Sequence, residues 1–425
     1  MKTKELNKNA WKLTALIALV CAALVIGGQP AFSDETGLIP ESLNDVFAKG
    51  KLNGVIKTLY YQRMFNGDTP DWATLAIGGN LNYGTAPLYG FTAGVGFKTS
   101  QGDYANTGDE VYRGLLATGA TPGDDESYAA LDEYFLRYSN WDTKFTLGAH
   151  AVNTPWLNGH DIRMTPKKYR GLGVINNSIE NLELHGYYLT DWLDWTAEDW
   201  TSMTSAFTGD AGDDEGALAL GAKWQILPAL SVQGWDYYFR DVMNSLYLTA
   251  VYQQAMGSDY TFGADLRYLN QMDVGDKLAG NLGTYTAGGS AFLGGFGAKL
   301  TLYFGANGSD NLVAPFGESK IISLQVLALD RAEENAYTVK FDYDFAYLGV
   351  DGLSLYALFS SFDTPDSGGN ASSDATEIDV DLQYKLSGWF DNCSIRLRHA
   401  IIDKDEDVAG GEDFSDSRVY LVYKF

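Results

Sequence analysis

Cysteine is nearly missing from this chain: two residues, Cys21 and Cys393, in 425. Cys21 lies inside an N-terminal apolar stretch that reads as removable, so no disulfide framework is available. Histidine is confined to His150, His160, His185 and His399, with no two at metal-ligand spacing. No Gly-x-Ser-x-Gly elbow and no phosphate-binding glycine loop is present, so the chain reads as a non-enzyme. Base is scarce: 30 Lys and Arg stand against 55 Asp and Glu, for a net charge of −25. That balance excludes nucleic acid, whose phosphates need Lys and Arg. Beyond residue 27 there is no run of about 20 apolar residues, which excludes a membrane-crossing helix.

What is present begins with a leader. Lys2, Lys4, Lys8 and Lys12 precede an apolar core from Leu13 to Gly27, Pro30 ends it, and Ala31-Phe32-Ser33 supplies the small-x-small cleavage pattern before Asp34. Residues 1–33 are therefore expected to be a secretory signal peptide. Removing its four Lys and one Glu takes the net charge from −25 to −28. Residues 34–50 form a short lead-in that could plug the periplasmic end. Cys393, alternating with Ile395 and Leu397, reads as a small apolar surface residue.

The rest is rich in aromatics and glycine: 27 Tyr, 21 Phe, 10 Trp and 47 Gly. Its pattern has period two. In "NAYTVKFDYDFAYLG", Tyr337, Val339, Phe341, Tyr343, Phe345 and Tyr347 fall on one side, and Thr338, Lys340, Asp342 and Asp344 on the other. "TEIDVDLQYKL" sets Ile378, Val380, Leu382 and Tyr384 against Glu377, Asp379, Asp381, Gln383 and Lys385. Each strand thus has an apolar and a polar face. The apolar faces carry Tyr and Phe near strand ends, and the polar faces carry charge in mid-strand. A barrel in lipid needs that arrangement, whereas a sandwich needs a dry aliphatic core. The fold class is therefore all-β: a transmembrane antiparallel β-barrel over 51–425, with 17 to 19 alternating segments and about 18 strands. Long acidic, Gly-rich loops such as "DTPDSGGNASSDAT" alternate with short turns such as "ILPAL", "YLGVDG" and "LSGWFDN". The segment "SRVYLVYKF" reads as the closing strand, paired with the first because lipid tolerates no open edge.

One segment concentrates base in an acidic chain. "NTPWLNGHDIRMTPKKYRGLG" places His160, Asp161, Arg163, Lys167, Lys168 and Arg170 between two strands. Folded inward, it would make a charged constriction that selects solutes by sign; as an ordinary rim loop it would not. Alternation also sends Arg137, Arg267, Arg396, Arg398 and Arg418 inward, where they could form a basic ladder along one wall. Glu133, Asp265, Asp342, Asp344, Asp379 and Asp381 supply opposing acids. No cofactor is required. "DKDEDVAGGED" offers carboxylates to divalent cations, but it lacks the glycine and closing glutamate of an EF-hand and reads first as a solvated external loop.

Several of these stretches resemble the OprD-type outer membrane porin family. "LYYQRMFNGDTPDWATLAI" is similar to the family's opening hairpin, and "TPWLNGHDIRMTPKKYRGLG" to its inward loop, with Pro155, Asp161, Arg163, Pro166 and Gly171 matching. "GDKLAGN", "YTVKFDYDFAYLGVDGLSLYALF", "CSIRLRHA" and the final strand also fit. The resemblance implies a barrel of about 18 strands in a Gram-negative outer membrane, contacting lipid and lipopolysaccharide, as a monomer or trimer. It also implies a narrow pore for passive diffusion of small hydrophilic nutrients (amino acids, small peptides or carboxylates), with an Arg ladder feeding the neck. Because Arg163, Lys167, Lys168 and Arg170 locally outnumber acids, carboxylate-bearing solutes are expected to be preferred. The rivals are a cation-preferring general porin, favoured by the −28 charge, a structural or adhesive surface barrel with a closed lumen, and a barrel enzyme with Ser and His paired near a rim.

Overall fold

In the computed structural model the described residues are 42–102, 114–118, 125–209, 216–317, 319–405 and 411–425. Residues 1–33, expected to be a leader, the segment 34–41 and part of the acidic loops lie outside them. Eighteen long antiparallel strands form one closed sheet. In chain order they are β1 (Lys51–Phe65), β2 (Trp72–Gly84), β3 (Phe91–Gln101), β4 (Tyr128–Asn140), β5 (Thr143–His150), β6 (Lys168–Ile179), β7 (Leu182–Leu193), β8 (Ala217–Leu227) and β9 (Leu230–Phe239). β10 (Met243–Met256), β11 (Tyr260–Asp273), β12 (Gly283–Gly295), β13 (Ala298–Asn307), β14 (Asn335–Asp344), β15 (Leu353–Asp363), β16 (Ala375–Lys385), β17 (Cys393–Lys404) and β18 (Phe414–Lys424) complete the circuit. Each pairs with its neighbour in sequence. β1 also pairs with β18, from Val55 opposite Lys424 to Phe65 opposite Phe414, and that pairing closes the barrel.

The two faces are as the alternation requires. Along β16, Ile378, Val380 and Leu382 are exposed while Glu377, Asp379 and Asp381 are buried. Phe341 and Leu421 are likewise exposed, so the apolar side chains face outward, toward hydrocarbon. One end of the barrel carries the tight turns, and there Tyr89, Trp141, Phe296, Tyr347, Trp389 and Phe390 stand out from the surface. Such aromatics suit the interface between lipid tails and headgroups. The other end carries the long loops, which face outward in outer-membrane barrels.

Two expectations need correction. Phe345 and Tyr347 do not extend β14. Residues Phe345–Leu348 form a 3₁₀ turn whose first N–H groups are capped by Asp344, which accepts from Ala346 N at 2.9 Å. A carboxylate two residues ahead of a free N–H competes with the strand ladder, and it ends the strand here. Asp344 thus caps a turn and is not an acid on the lumen wall. Within the described part of the lead-in, Leu43–Ala48 is a short helix capped by Ser42. It docks beside the β2–β3 turn: Ala86 N donates to Val46 O at 2.9 Å, and Tyr83 donates to Phe47 O.

Close strand contact needs glycine at a few points. Gly79 has φ +138, and a Cβ there would lie 1.8 Å from Val55 O on β1, so no other residue fits this crossing.

Candidate functional site

Two loops from the long-loop end fold into the lumen and meet. The first, residues 151–167, leaves β5 and crosses to β1 on the far side of the seam. Lys57 Nζ of β1 donates to Asp161 Oδ1 at 2.5 Å and to Arg163 O at 2.9 Å. Tyr61 Oη donates to Ile162 O at 2.7 Å and lies 2.8 Å from Tyr420 Oη of β18. The base of the loop is held apolarly, with Val152, Trp156 and Leu157 buried among Tyr169, Trp192, Trp235 and Tyr237. A third element, the turn after β7, supplies Trp195. Its ring lies 4.1 Å from Lys167 Nζ, 5.3 Å from the Arg163 guanidinium and 5.1 Å from the His160 ring. Its Nε1 donates to His160 O at 2.9 Å. Cations over an indole face are held by the ring's quadrupole.

The second inward loop, residues 308–334, was not singled out by sequence. It crosses from β13 toward β16–β18. Ile321, Ile322 and Leu329 pack with Ala336 of β14 and Phe362 of β15. Within it Leu329 N donates to Ile322 O at 3.0 Å and Leu324 N to Leu327 O at 2.8 Å, closing a small hairpin. The two loops join where Lys167 Nζ donates to Pro315 O at 2.6 Å and Tyr169 Oη to Phe316 O at 3.0 Å. Its apolar run "IISLQVLAL" carries no charge to mark it. The signal that could have separated it is the close spacing of Gly308, Pro315 and Gly317 just before it.

The predicted constriction residues are only partly brought together. His160, Asp161, Arg163 and Lys167 gather at the crossing. Lys168 instead opens β6 and pairs with Glu133 at 2.6 Å. Arg170 pairs with Asp191 at 2.6 Å and lies 5.6 Å from the Trp200 ring. Lys167 also lies 3.4 Å from Asp194. Base is therefore less in excess at the loop than the sequence suggests, because Asp191 and Asp194 arrive from another element. His160 sits outside the strands. Burial first, then Lys167, Arg163 and Lys320, lowers its pKa to about 4, so the ring is neutral at physiological pH.

Three of the five ladder arginines do share a wall. Arg396 and Arg398 of β17 both reach Asp381, at 2.7 and 2.8 Å. Arg418 of β18 reaches Asp416 at 2.6 Å, with its guanidinium 4.9 Å from the Tyr61 ring. Arg63 of β1 also reaches Asp416, at 2.9 Å, and Lys340 of β14 stands 4.3 Å from the Tyr356 ring. Tyr356 Oη accepts from Arg398 at 2.8 Å. Arg137 and Arg267 lie elsewhere: Arg137 donates to Thr146 Oγ1 at 3.1 Å, and Arg267 pairs with Asp265 at 2.8 Å.

The acids do not form a facing wall. Asp381 sits among the arginines, Asp342 lies 2.8 Å from Lys340, and Asp379 binds the second loop. Alternation fixes a residue's side of the sheet but not its position around the circle. Lys57, Arg63, Lys340, Tyr61, Tyr356, Tyr420 and Asp416 were missed for the same reason, and Trp195 because it comes from a turn. Among the described residues no cluster of three or more His, Cys, Asp or Glu could hold a metal ion. Residues 406–410 of the acidic segment proposed for divalent cations lie outside the described ones.

The comparisons agree with this architecture. A family model described as outer membrane porin, OprD family, matches residues 94–425. Porin-like protein GalP of Pseudomonas putida is 26% identical over 321 residues, covering 71% of this chain and 72% of GalP. Among solved structures, OccK9 (OpdG) of Pseudomonas aeruginosa superposes with a TM-score of 0.80 at 22% identity, covering 89% of this chain and 99% of that one. OpdK of the same organism, solved with vanillate, gives 0.78 at 19%, again covering 89% and 99%. OccAB3 of Acinetobacter baumannii gives 0.79 at 19%, with the same coverage.

Proposed function

The chain belongs to the OprD family of outer membrane porins, and on that premise we propose that it is a water-filled, solute-selective channel for small hydrophilic solutes bearing a carboxylate. Amino acids, small peptides and organic acids are the class. Solutes move down their gradient, with no cofactor and no chemical step.

One observation carries this reading. On the wall formed by β17, β18 and β1, two carboxylates serve four guanidinium groups: Asp381 holds Arg396 and Arg398, and Asp416 holds Arg63 and Arg418. Arginine does not shed its proton, so all four charges are permanent. Its forked donors match a carboxylate, and Arg396, the most exposed of the four, can offer them to a solute. The structure of OpdK with vanillate is in keeping with a carboxylate as cargo in this family. Each cation already has a partner, so each hold on a solute is brief, as permeation requires.

Reversal potentials across a planar bilayer under a KCl gradient test the proposal. The channel is expected to prefer anions. The double variant Arg396→Gln with Arg398→Gln, made together with Asp381→Asn so that no acid is stranded, is expected to shift the potential toward cations. A cation-preferring channel indifferent to that change overturns the reading in favour of a general porin. That rival is favoured by the net acidity, which at physiological salt acts over roughly 8 Å from the external loops. A wild type that passes no current would make it a closed structural barrel. Residues 1–33 act as the export signal in this proposal, and 34–50 as a periplasmic lead-in. Lipid and lipopolysaccharide surround the barrel, and the monomer suffices for conduction.

A further inference from the structure

Three consecutive N–H groups of the second inward loop end on carboxylates of the wall. Val326 N and Leu327 N donate to Glu377 at 2.9 and 2.6 Å, and Gln325 N donates to Asp379 Oδ2 at 3.1 Å. Glu377 and Asp379 are two residues apart on β16, project to the same side and are fully buried. Gln325 is also tied to β18. Its Nε2 donates to Asp416 O at 2.7 Å and to Asp416 Oδ1 at 2.9 Å, and its backbone carbonyl accepts from Arg418 Nη2 at 2.9 Å.

Two acids side by side, buried beneath a loop, are costly unless something repays them. Here the repayment is the loop's own backbone. The loop has no strand partner at this point, so its N–H groups would otherwise face water or each other. The wall and the loop each satisfy what the other leaves open. The bond from Arg418 to Gln325 then ties the loop to the basic wall itself.

We propose that Glu377, Asp379 and Gln325 are positioning residues that latch the second inward loop across the lumen, and thereby set the width and ion preference of the neck. Burial beneath the loop keeps Glu377 and Asp379 from the path of a permeating solute. This inference rests on the channel reading above.

The test is single-channel recording of the full chain in a planar bilayer, with Glu377→Gln, Asp379→Asn and Gln325→Ala. Glu377→Gln keeps the shape but only one acceptor oxygen. Gln325→Ala lies in the loop and leaves every strand intact, so it remains informative should a strand variant fail to fold. Heat-resistant migration on gels reports barrel closure separately. The neck is the series resistance of the pore, so the variants are expected to raise conductance by roughly two-fold or more, with added flicker. Anion preference is expected to weaken, with migration on gels unchanged. Conductance and selectivity unchanged in folded Glu377→Gln and Gln325→Ala proteins would overturn the latch while leaving the channel reading standing. A silent wild type would instead defeat the channel reading.

Discussion

The two inward loops narrow the same lumen by opposite chemistry. The loop 151–167 carries cations, and it is held by carbonyls, an indole face and a lysine reaching from β1. The loop 308–334 packs aliphatics against the wall, pairs its own Lys320 and Arg331 with Asp330 and Glu334, and is held by carboxylates of β16. One presents charge to the pore; the other presents bulk. The first therefore reads as the element that decides sign, and the second as the element that decides size.

Deletion separates them most strongly. Removing 321–329 is expected to enlarge conductance with anion preference reduced only in part. Removing 155–166 takes out Arg163 with Asp161 and is expected to change reversal potential as much as conductance. If the two deletions alter both quantities in the same proportion, the division of labour fails. The next effect is smaller. Leu329 is fully buried, so Leu329→Ala leaves a cavity beneath the second loop at a cost of about 2–5 kcal/mol. Hydrogen exchange should show faster opening of 321–329, with the reversal potential unmoved.

Lys57→Met tests the first loop. It strands Asp161, which is about half exposed, so the cost is about 1 kcal/mol and the loop should fray without detaching. Flicker at an unchanged mean conductance is the expected record. The smallest effect is in pH. Histidine in water titrates near 6.5, and burial with Lys167, Arg163 and Lys320 lowers His160 to about 4. A released loop therefore binds the proton more readily than the docked one. The docked loop keeps its full stability above about pH 6.5 and loses it as pH falls toward 4. Acid-induced flicker in that window, absent in His160→Asn, is the check.

The same comparison explains what the sequence could disclose. Period-two alternation around Phe341, Leu382 and Leu421 made the barrel and its lipid face legible, because one face of every strand meets a single medium. Base at Arg163 and Lys167 made the first loop legible against an acidic background. The second loop was hidden because "IISLQVLAL" carries no charge, and its packing against Ala336 and Phe362 leaves no local trace. Arg396, Arg398 and Arg418 fall together because β17 and β18 are adjacent in the chain. The partnership of β1 with them, which brings in Lys57, Tyr61 and Arg63, follows from closure and leaves no local trace. Asp344 was misplaced because a turn cap and an inward acid look alike at this spacing.

Closure itself has a kinetic consequence. Val55 meets Lys424 and Phe65 meets Phe414 across nearly the whole chain, the longest loop-closure entropy any pairing here must overcome. A chain exported from its N-terminus carries the donors and acceptors of β1 through the periplasm before β18 has crossed. Until then that edge is open to any extended peptide it meets. The seam therefore makes transit the hazardous stage, and shielding by a holding factor, rather than the stability of the finished barrel, should limit how much protein reaches the membrane.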